Sequence, residues 1–217
     1  MEGPEDISSS TQREAIRLIV IFHLIGLLGL SIPFSRPWFL DFVPWHLFIM
    51  FMLVAFNHRI FNIKFIAFFL LIFIGGIWIE YTGVHKHWPF GDYLYGRTLG
   101  RMKDGVPPII GVNWFLLIYC TGVAMRRTRL QHGVLRVAMG AMLLVLLDLL
   151  IEPIAIRLDY WHWAFNHIPL SNYISWFVIS AIMLSIFEAF RFEKQNKVSQ
   201  VFLLVQFVFF AILHFTT

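Results

Sequence analysis

Apolar residues fall into about seven long runs along the chain, separated by polar connections. A helix needs roughly 20 apolar residues to cross the hydrocarbon core of a bilayer, with a range of about 17–25. The runs predict spanning helices over residues 14–33, 38–56, 63–80, 107–125, 134–156, 173–190 and 198–215. Because the first two runs are short and interrupted by proline, six spans are the alternative count.

Composition favours the same fold class. The 217 residues are 59% hydrophobic and 14% charged, whereas soluble domains are about half apolar and about a quarter charged. The sequence therefore predicts an all-α integral membrane protein with a single transmembrane domain over residues 13–217. Residues 1–12 are polar and acidic, which predicts a disordered tail rather than a signal peptide, since signal peptides begin with basic residues.

The positive charges are unevenly divided between the two sides of the predicted bundle. Eleven of the 17 lysines and arginines lie on the side of the N-terminus and six on the opposite side. Since cytoplasmic loops are enriched in lysine and arginine, we expect a cytoplasmic N-terminus and an external C-terminus in a bacterial inner membrane. The net charge of +4 is then explained by lipid headgroups, and no nucleic-acid partner is expected.

Two connections, residues 81–106 and 157–172, are longer than turns require, and both lie opposite the N-terminus, on what we call the cap side. They are rich in aromatic residues, which disordered segments lack, so we expect them to fold over the bundle as a cap. All eight tryptophans belong to this half or its loops. An interfacial belt would occupy both interfaces, so the bias favours a pocket lined with aromatic faces, suited to a polyene or a cation.

Acidic residues also gather on the cap side. A charge at the centre of a span costs roughly 2.5–3.5 kcal/mol on insertion, so such residues are candidates for function. Asp148 and Glu152 are four residues apart, share one helix face, and cannot both ionise easily, so one should hold its proton. With Glu80, they are the predicted catalytic residues. Structural ion pairs with neighbouring arginines are the alternative interpretation.

Other polar residues of this side are predicted only to support the site. They are Asp41, His85, Asp159 and His162. The histidines lack the spacing of helical metal ligands, so no metal is expected. Nucleotide-binding and common hydrolase motifs are absent from the sequence, and no span carries a central lysine for a retinal Schiff base. The sequence therefore indicates chemistry without a cofactor.

Several short motifs resemble the CruF-type carotenoid hydratase family. Residues 80–95, EYTGVHKHWPFGDYLY, resemble its E-x-x-G and PFG-x-Y-x-Y signature, and residues 148–153 resemble its D-x-x-x-D-P motif. Further elements follow in order: Leu99-Gly100, Gly105-Val106-Pro107, Asn113-Trp114, YWHW at 160–163, and PLSN at 169–172 followed by Trp176. The match covers about residues 75–180. Departures from the family pattern are Lys86-His87 for Thr-Gly, Glu152 for Asp and Ser175 for Gly.

The resemblance implies addition of water across the terminal C1–C2 double bond of an acyclic carotenoid such as lycopene or γ-carotene. A carboxylic acid would protonate C2, and water would capture the tertiary cation at C1. The expected substrate-binding residues are Trp78, Trp88, Phe90, Tyr93, Tyr95, Asn113, Trp114, Trp161, Trp163, Asn172 and Trp176. Membrane lipid and other carotenoid-pathway enzymes are the expected partners. The alternatives are a membrane carotenoid cyclase, a small proton-coupled transporter and a non-catalytic scaffold.

The charge distribution predicts the orientation directly. Alkaline phosphatase fused after Thr217 should be active, because that terminus is expected outside, whereas green fluorescent protein fused there should stay dark. Fusions to the N-terminus should behave in the opposite way. A fluorescent C-terminal fusion would contradict the orientation.

Overall fold

The computed structural model describes residues 9–193, 195 and 197–217. Seven of its helices are long and apolar enough to cross a membrane, so the predicted count of seven is confirmed. The helices are α1 Ser9–Ser31, α2 Arg36–Ala55, α3 Ile63–Lys86, α4 Ile109–Arg126, α5 Gly133–Arg157, α6 Leu170–Phe190 and α7 Val198–Thr216. Two short strands, β1 Tyr93–Tyr95 and β2 Trp161–Trp163, lie in the two long connections.

The helix bounds differ from the predicted spans mainly at two places. α1 begins at Ser9, so the last four residues of the predicted tail are helical, and residues 1–8 lie outside the described part. α3 continues to Lys86, so the first six residues of the predicted loop 81–106 also belong to a helix. The physical reason is that Tyr81–Lys86 packs under the cap, where Thr82, Gly83 and Val84 are buried.

Helix α4 is the centre of the bundle. It packs against α2, α3, α5, α6 and α7, whereas α1 lies at the periphery against α2 and α7. In an 18-residue stretch of α4, 72% of the residues are buried, against 17–39% in the corresponding stretches of the other six helices. The outer helices expose large apolar side chains such as Ile74, Leu146 and Leu204, as expected for surfaces that face lipid.

Ion pairs hold the end of the bundle opposite the cap. Glu188 of α6 pairs with Arg126 at the end of α4 (3.3 Å) and with Arg136 in the first turn of α5 (2.9 Å). His58, in the connection between α2 and α3, is buried in the same end. Its Nδ1 lies 2.6 Å from the Tyr119 hydroxyl, and its ring stacks on Phe65 at 4.2 Å.

The cap predicted from the two aromatic loops is confirmed. β1 and β2 pair antiparallel, so the loop after α3 and the loop after α5 form one ribbon. Two α6 side chains hold this ribbon to the bundle, because the Ser171 and Ser175 hydroxyls donate to the Phe90 and Pro89 carbonyls, each at 2.8 Å. The cap thus lies over the ends of α3, α5 and α6, which carry the predicted carboxyl groups.

The buried His58 predicts acid sensitivity of the fold. Burial lowers its pKa to about 4, against about 6.5 in an unfolded chain. Between these values the unfolded chain binds a proton that the folded chain does not, so stability falls as the pH drops from 6.5 towards 4. At pH 5 the loss from this residue is up to about 2 kcal/mol. His58→Gln should remove it, measured as a smaller fall in melting temperature from pH 7.5 to pH 5.

The exposed His167 provides the matched control. His167→Gln should keep the acid sensitivity of the wild type. Equal sensitivity in the wild type and His58→Gln would contradict the assignment.

Candidate active site

The two cap strands place four aromatic side chains on one face of their ribbon. Tyr93 lies opposite Trp163, and Tyr95 lies opposite Trp161. Side chains alternate between the two faces along a strand, and directly opposed residues share a face. The four rings therefore face the bundle together, whereas the intervening Leu94 is 61% exposed on the outer face.

Glu80, in the last two turns of α3, accepts three hydrogen bonds. Its Oε2 accepts from the hydroxyls of Tyr93 (2.5 Å) and Tyr95 (2.7 Å), and its Oε1 accepts from the indole N–H of Trp114 (2.8 Å). Burial, reinforced by the adjacent Glu80 carboxyl group, holds the pKa of both phenols well above its usual range, so both remain donors. Since a carboxylate oxygen has two acceptor positions, Oε1 keeps one position free.

Glu152, near the end of α5, is held by a second set of three donors. Its Oε2 accepts from the indole N–H groups of Trp161 (3.0 Å) and Trp163 (2.7 Å). Its Oε1 accepts from the Asn172 amide (3.1 Å), and the same amide nitrogen donates to Oδ2 of Asp148 at 2.8 Å. Asn172 thus bridges Glu152 and Asp148 from α6.

Asp148 lies behind Glu152. It is 1% exposed, and its Oδ1 is buried without a hydrogen-bond partner among the described residues. None of the ion pairs in residues 9–193, 195 and 197–217 involves Glu80, Asp148 or Glu152. The alternative interpretation, structural ion pairs with arginines, therefore does not describe these three carboxyl groups, which are held by neutral donors.

Two glycines of α3 leave the space that Trp114 and Tyr93 need in order to reach Glu80. A Cβ atom at Gly76 would lie 2.8 Å from the Cβ of Trp114, and one at Gly83 would lie 2.5 Å from the Tyr93 hydroxyl. Real Cβ atoms essentially never approach so closely. Trp114 also stacks on Trp176 of α6, with ring centroids 4.5 Å apart. Close helix packing thus fixes two of the three donors around Glu80.

Glu80 and Glu152 line one cavity inside the bundle. Its volume is about 190 Å³, several times the roughly 30 Å³ share of one water in the liquid, so it has room for a substrate group together with water. Most of the lining is apolar or aromatic and comes from all seven helices and both cap loops. The lining includes Phe39, Phe42, Phe90, Asn113, Trp114, Tyr160, Trp161, Trp163, Trp176, Phe209 and Phe210.

Most of the predicted site residues meet in this cavity, but several do not. The cavity residues among them are Glu80, Phe90, Tyr93, Tyr95, Asn113, Trp114, Glu152, Trp161, Trp163, Asn172 and Trp176. Asp148 lies one contact away, through Asn172. The structure places six others outside the cavity and partly or largely exposed: Asp41, Trp78, His85, Trp88, Asp159 and His162.

Three of the residues outside the cavity, His85, Asp159 and His162, have polar partners of their own. The hydrogen bond from His162 (2.7 Å) holds the pKa of Asp159 below its usual range, and Arg97 lies 3.7 Å from the same carboxylate. His85 contacts the backbone carbonyl of Asp104 at 3.0 Å. These contacts shape the outer surface of the cap. Among the described residues, no three His, Cys, Asp or Glu side chains could hold a metal ion together.

Sequence reasoning missed one wall of the cavity. α1 and α2 contribute His23 and His46, and α7 contributes Gln206, none of which was assigned to the site. The available signal was a polar residue in the middle of an apolar run. Each of these side chains lies near the middle of its helix.

Comparison with known proteins shows the family of the chain. The family model of the carotenoid biosynthesis protein family matches residues 42–217, more than three quarters of the chain. The chain belongs to that family. A curated relative, the bisanhydrobacterioruberin hydratase of Haloarcula japonica, is 28% identical over 123 residues, which cover 54% of this chain and 42% of the relative. The chain thus spans less than half the length of that relative. No solved structure matches this chain.

The matched region of this carotenoid biosynthesis protein contains all three carboxyl groups and their donors. It begins in α2, so α1 and its cavity residue His23 precede it. The carboxyl site is therefore built entirely from the region that matches the family.

The approach of Tyr93 to Gly83 predicts a stability difference between two glycines of α3. Gly83→Ala should displace the Tyr93 hydroxyl from Glu80 and destabilise the protein by about 1–3 kcal/mol, the cost of an unsatisfied buried polar group. Gly75→Ala is the matched control, because its Cβ would meet only Met183 at 3.7 Å. That variant should be neutral or up to about 1 kcal/mol more stable. Equal melting temperatures would contradict the assigned packing.

Proposed function

We propose that this chain is a carotenoid hydratase that adds water across the terminal C1–C2 double bond of an acyclic carotenoid end. The observation that carries the proposal is the placement of Glu80 and Glu152 on one aromatic cavity, each with three neutral donors and one free acceptor position. Family membership supports a carotenoid as the ligand, and the name of the Haloarcula japonica relative supports hydration as the reaction.

The proton for the reaction comes from the carboxyl groups themselves. Three carboxyl groups without a paired cation cannot all be ionised in an apolar interior without a large desolvation cost. Asp148 and Glu152 share the amide of Asn172, so a charge on one opposes a charge on the other. We infer that this pair retains a proton, and that Glu152 donates it because Glu152 lines the cavity and Asp148 does not.

The reaction then balances without a redox cofactor. Glu152 transfers its proton to C2, which leaves a tertiary cation at C1 and a carboxylate on α5. Water attacks C1 as Glu80 accepts its proton through the free position on Oε1. The substrate gains one water, and proton exchange between the carboxyl groups and solvent restores the starting state.

The aromatic wall protects the cation until water arrives. Trp114 and Trp176 stack on one another, and Trp161 and Trp163 project from the cap into the same cavity. A cation over an aromatic face is stabilised by about 0.5–2 kcal/mol. Because the indole N–H groups of Trp114, Trp161 and Trp163 are already donated to carboxyl groups, their faces remain for the hydrocarbon.

Expression in a lycopene-producing bacterium tests the reaction. Hydration should add 18 Da for each modified end, as seen by mass spectrometry of the extracted pigments. A new pigment of unchanged mass would indicate cyclisation instead. Unchanged lycopene would contradict both hydration and cyclisation of this substrate.

Variants of the carboxyl pair test the assigned acid. Glu152→Gln should reduce the hydrated product at least about 100-fold, because removal of a general acid typically costs 10²–10⁴ in rate. Asp148→Asn should also reduce the product strongly, because it removes the carboxyl group that shares the retained proton with Glu152. Asp104→Asn, an exposed acid in the cap loop, is the matched control and should retain wild-type product. Full activity of both pair variants, at normal protein levels, would refute the assignment.

A further inference from the structure

A second group of polar side chains lies deeper in the same cavity. It consists of His23 on α1, His46 on α2 and Gln206 on α7. His46 and Gln206 are each ten residues from the cap-side end of their helices, and Glu152 is five residues from the end of α5. At about 1.5 Å per residue, His46 and Gln206 lie roughly 7 Å further from the cap, near the middle of the membrane.

The hydrogen bonds of His23 fix the orientation of Gln206. Nδ1 of His23 lies 2.7 Å from the Ile19 carbonyl, which only accepts, so Nδ1 carries the hydrogen. Nε2 of the neutral ring is then an acceptor, and its partner at 2.8 Å is the amide nitrogen of Gln206. The amide oxygen of Gln206 is therefore turned away from His23, and no described residue donates to it.

His46 is the other unsatisfied member of the group. Its ring meets His23 edge-on at 4.7 Å and lies 6.3 Å from Phe22, but its nitrogens have no hydrogen-bond partner among the described residues. His46 and Gln206 thus present an imidazole and an amide oxygen to an otherwise apolar part of the cavity. A buried polar group without a partner costs about 1–3 kcal/mol, so an empty or purely hydrocarbon-filled cavity is penalised here.

The two free groups match one kind of ligand atom. A hydroxyl or a water both donates and accepts, so it can donate to the Gln206 oxygen and accept from the His46 N–H. We propose that His46 and Gln206 form a second, neutral subsite that binds one O–H group deep in the cavity, either a hydroxyl of the polyene or a water that then moves to the carboxyl groups. This inference rests on the proposed function, because it assigns a ligand atom to the same cavity.

Binding measurements separate the subsite from turnover. The full-length protein in lipid nanodiscs would be titrated with lycopene and with a lycopene derivative that carries one tertiary hydroxyl, and quenching of tryptophan fluorescence gives each affinity. If the polyene supplies the O–H group, the wild type should bind the hydroxylated probe at least about tenfold more tightly. His46→Phe and Gln206→Met should each remove this preference, because the new side chains lack the imidazole N–H and the amide oxygen. Both substitutions keep the size of the side chain, so the shape of the cavity is retained.

The rate of product formation tests whether the subsite binds water instead of a polyene hydroxyl. If the subsite holds the water before it reaches the carboxyl groups, both variants should bind lycopene as the wild type does but form the hydrated product at least about tenfold more slowly. Equal affinities for the two probes, together with no loss of product in either variant, would overturn the inference. A wild type that forms no product would instead refute the proposed function, and the affinity preference would still decide the subsite.

Matched controls lie on the same helices but face lipid. Phe48 on α2 is 43% exposed, and Leu204 on α7 is 63% exposed. Phe48→Leu and Leu204→Met should keep both the affinities and the product of the wild type. Their behaviour separates loss of the O–H contacts from a general weakening of α2 or α7.

Discussion

Three carboxyl groups lie among the spanning helices without a cation beside them, and much of the cap side is arranged around that constraint. Neither lipid nor bulk water can solvate Glu80 and Glu152, so the protein supplies three neutral donors to each. Five of those six donors are aromatic side chains, which satisfy a carboxyl group with their polar edge and leave an apolar face. The aromatic composition of the cap thus has a physical cause.

The short β-ribbon is the device that delivers most of these donors. Its antiparallel register puts two tyrosines over α3 and two tryptophans over α5, so one strand serves Glu80 and the other serves Glu152. A helix cannot place alternating residues on one face, whereas a strand does so with a period of two. Two three-residue strands are enough, because the hydroxyls of Ser171 and Ser175 fix the neighbouring loop to α6.

The same cavity combines two kinds of polar site. Near the cap, Glu80 and Glu152 each accept three hydrogen bonds and keep one acceptor position, which suits transfer of a proton. Deeper, the imidazole of His46 and the amide of Gln206 are neutral and incompletely satisfied, which suits an O–H group. A long hydrocarbon can pass both sites, because most of the cavity lining is apolar or aromatic.

The sequence by itself determined the seven spans and the cap, because length and hydropathy in a bilayer leave a chain little choice other than helices. It also brought Asp148 and Glu152 together, since a spacing of four fixes one helix face. Only the tertiary structure separated the cavity residues Trp161 and Trp163 from Trp78 and Trp88, which are 62% exposed. The sequence places all four on the cap side, but burial depends on ribbon register and helix rotation.

The deeper polar group shows the same limit. His23 and His46 lie on consecutive helices, whereas Gln206 lies on α7, far along the chain, and no local pattern links the three. Their meeting depends on how α1 packs against α2 and α7 and on how α2 and α7 pack against α4, which long-range contacts decide. Hydropathy identifies which segments cross the membrane, whereas the partners of each side chain inside it are set by packing.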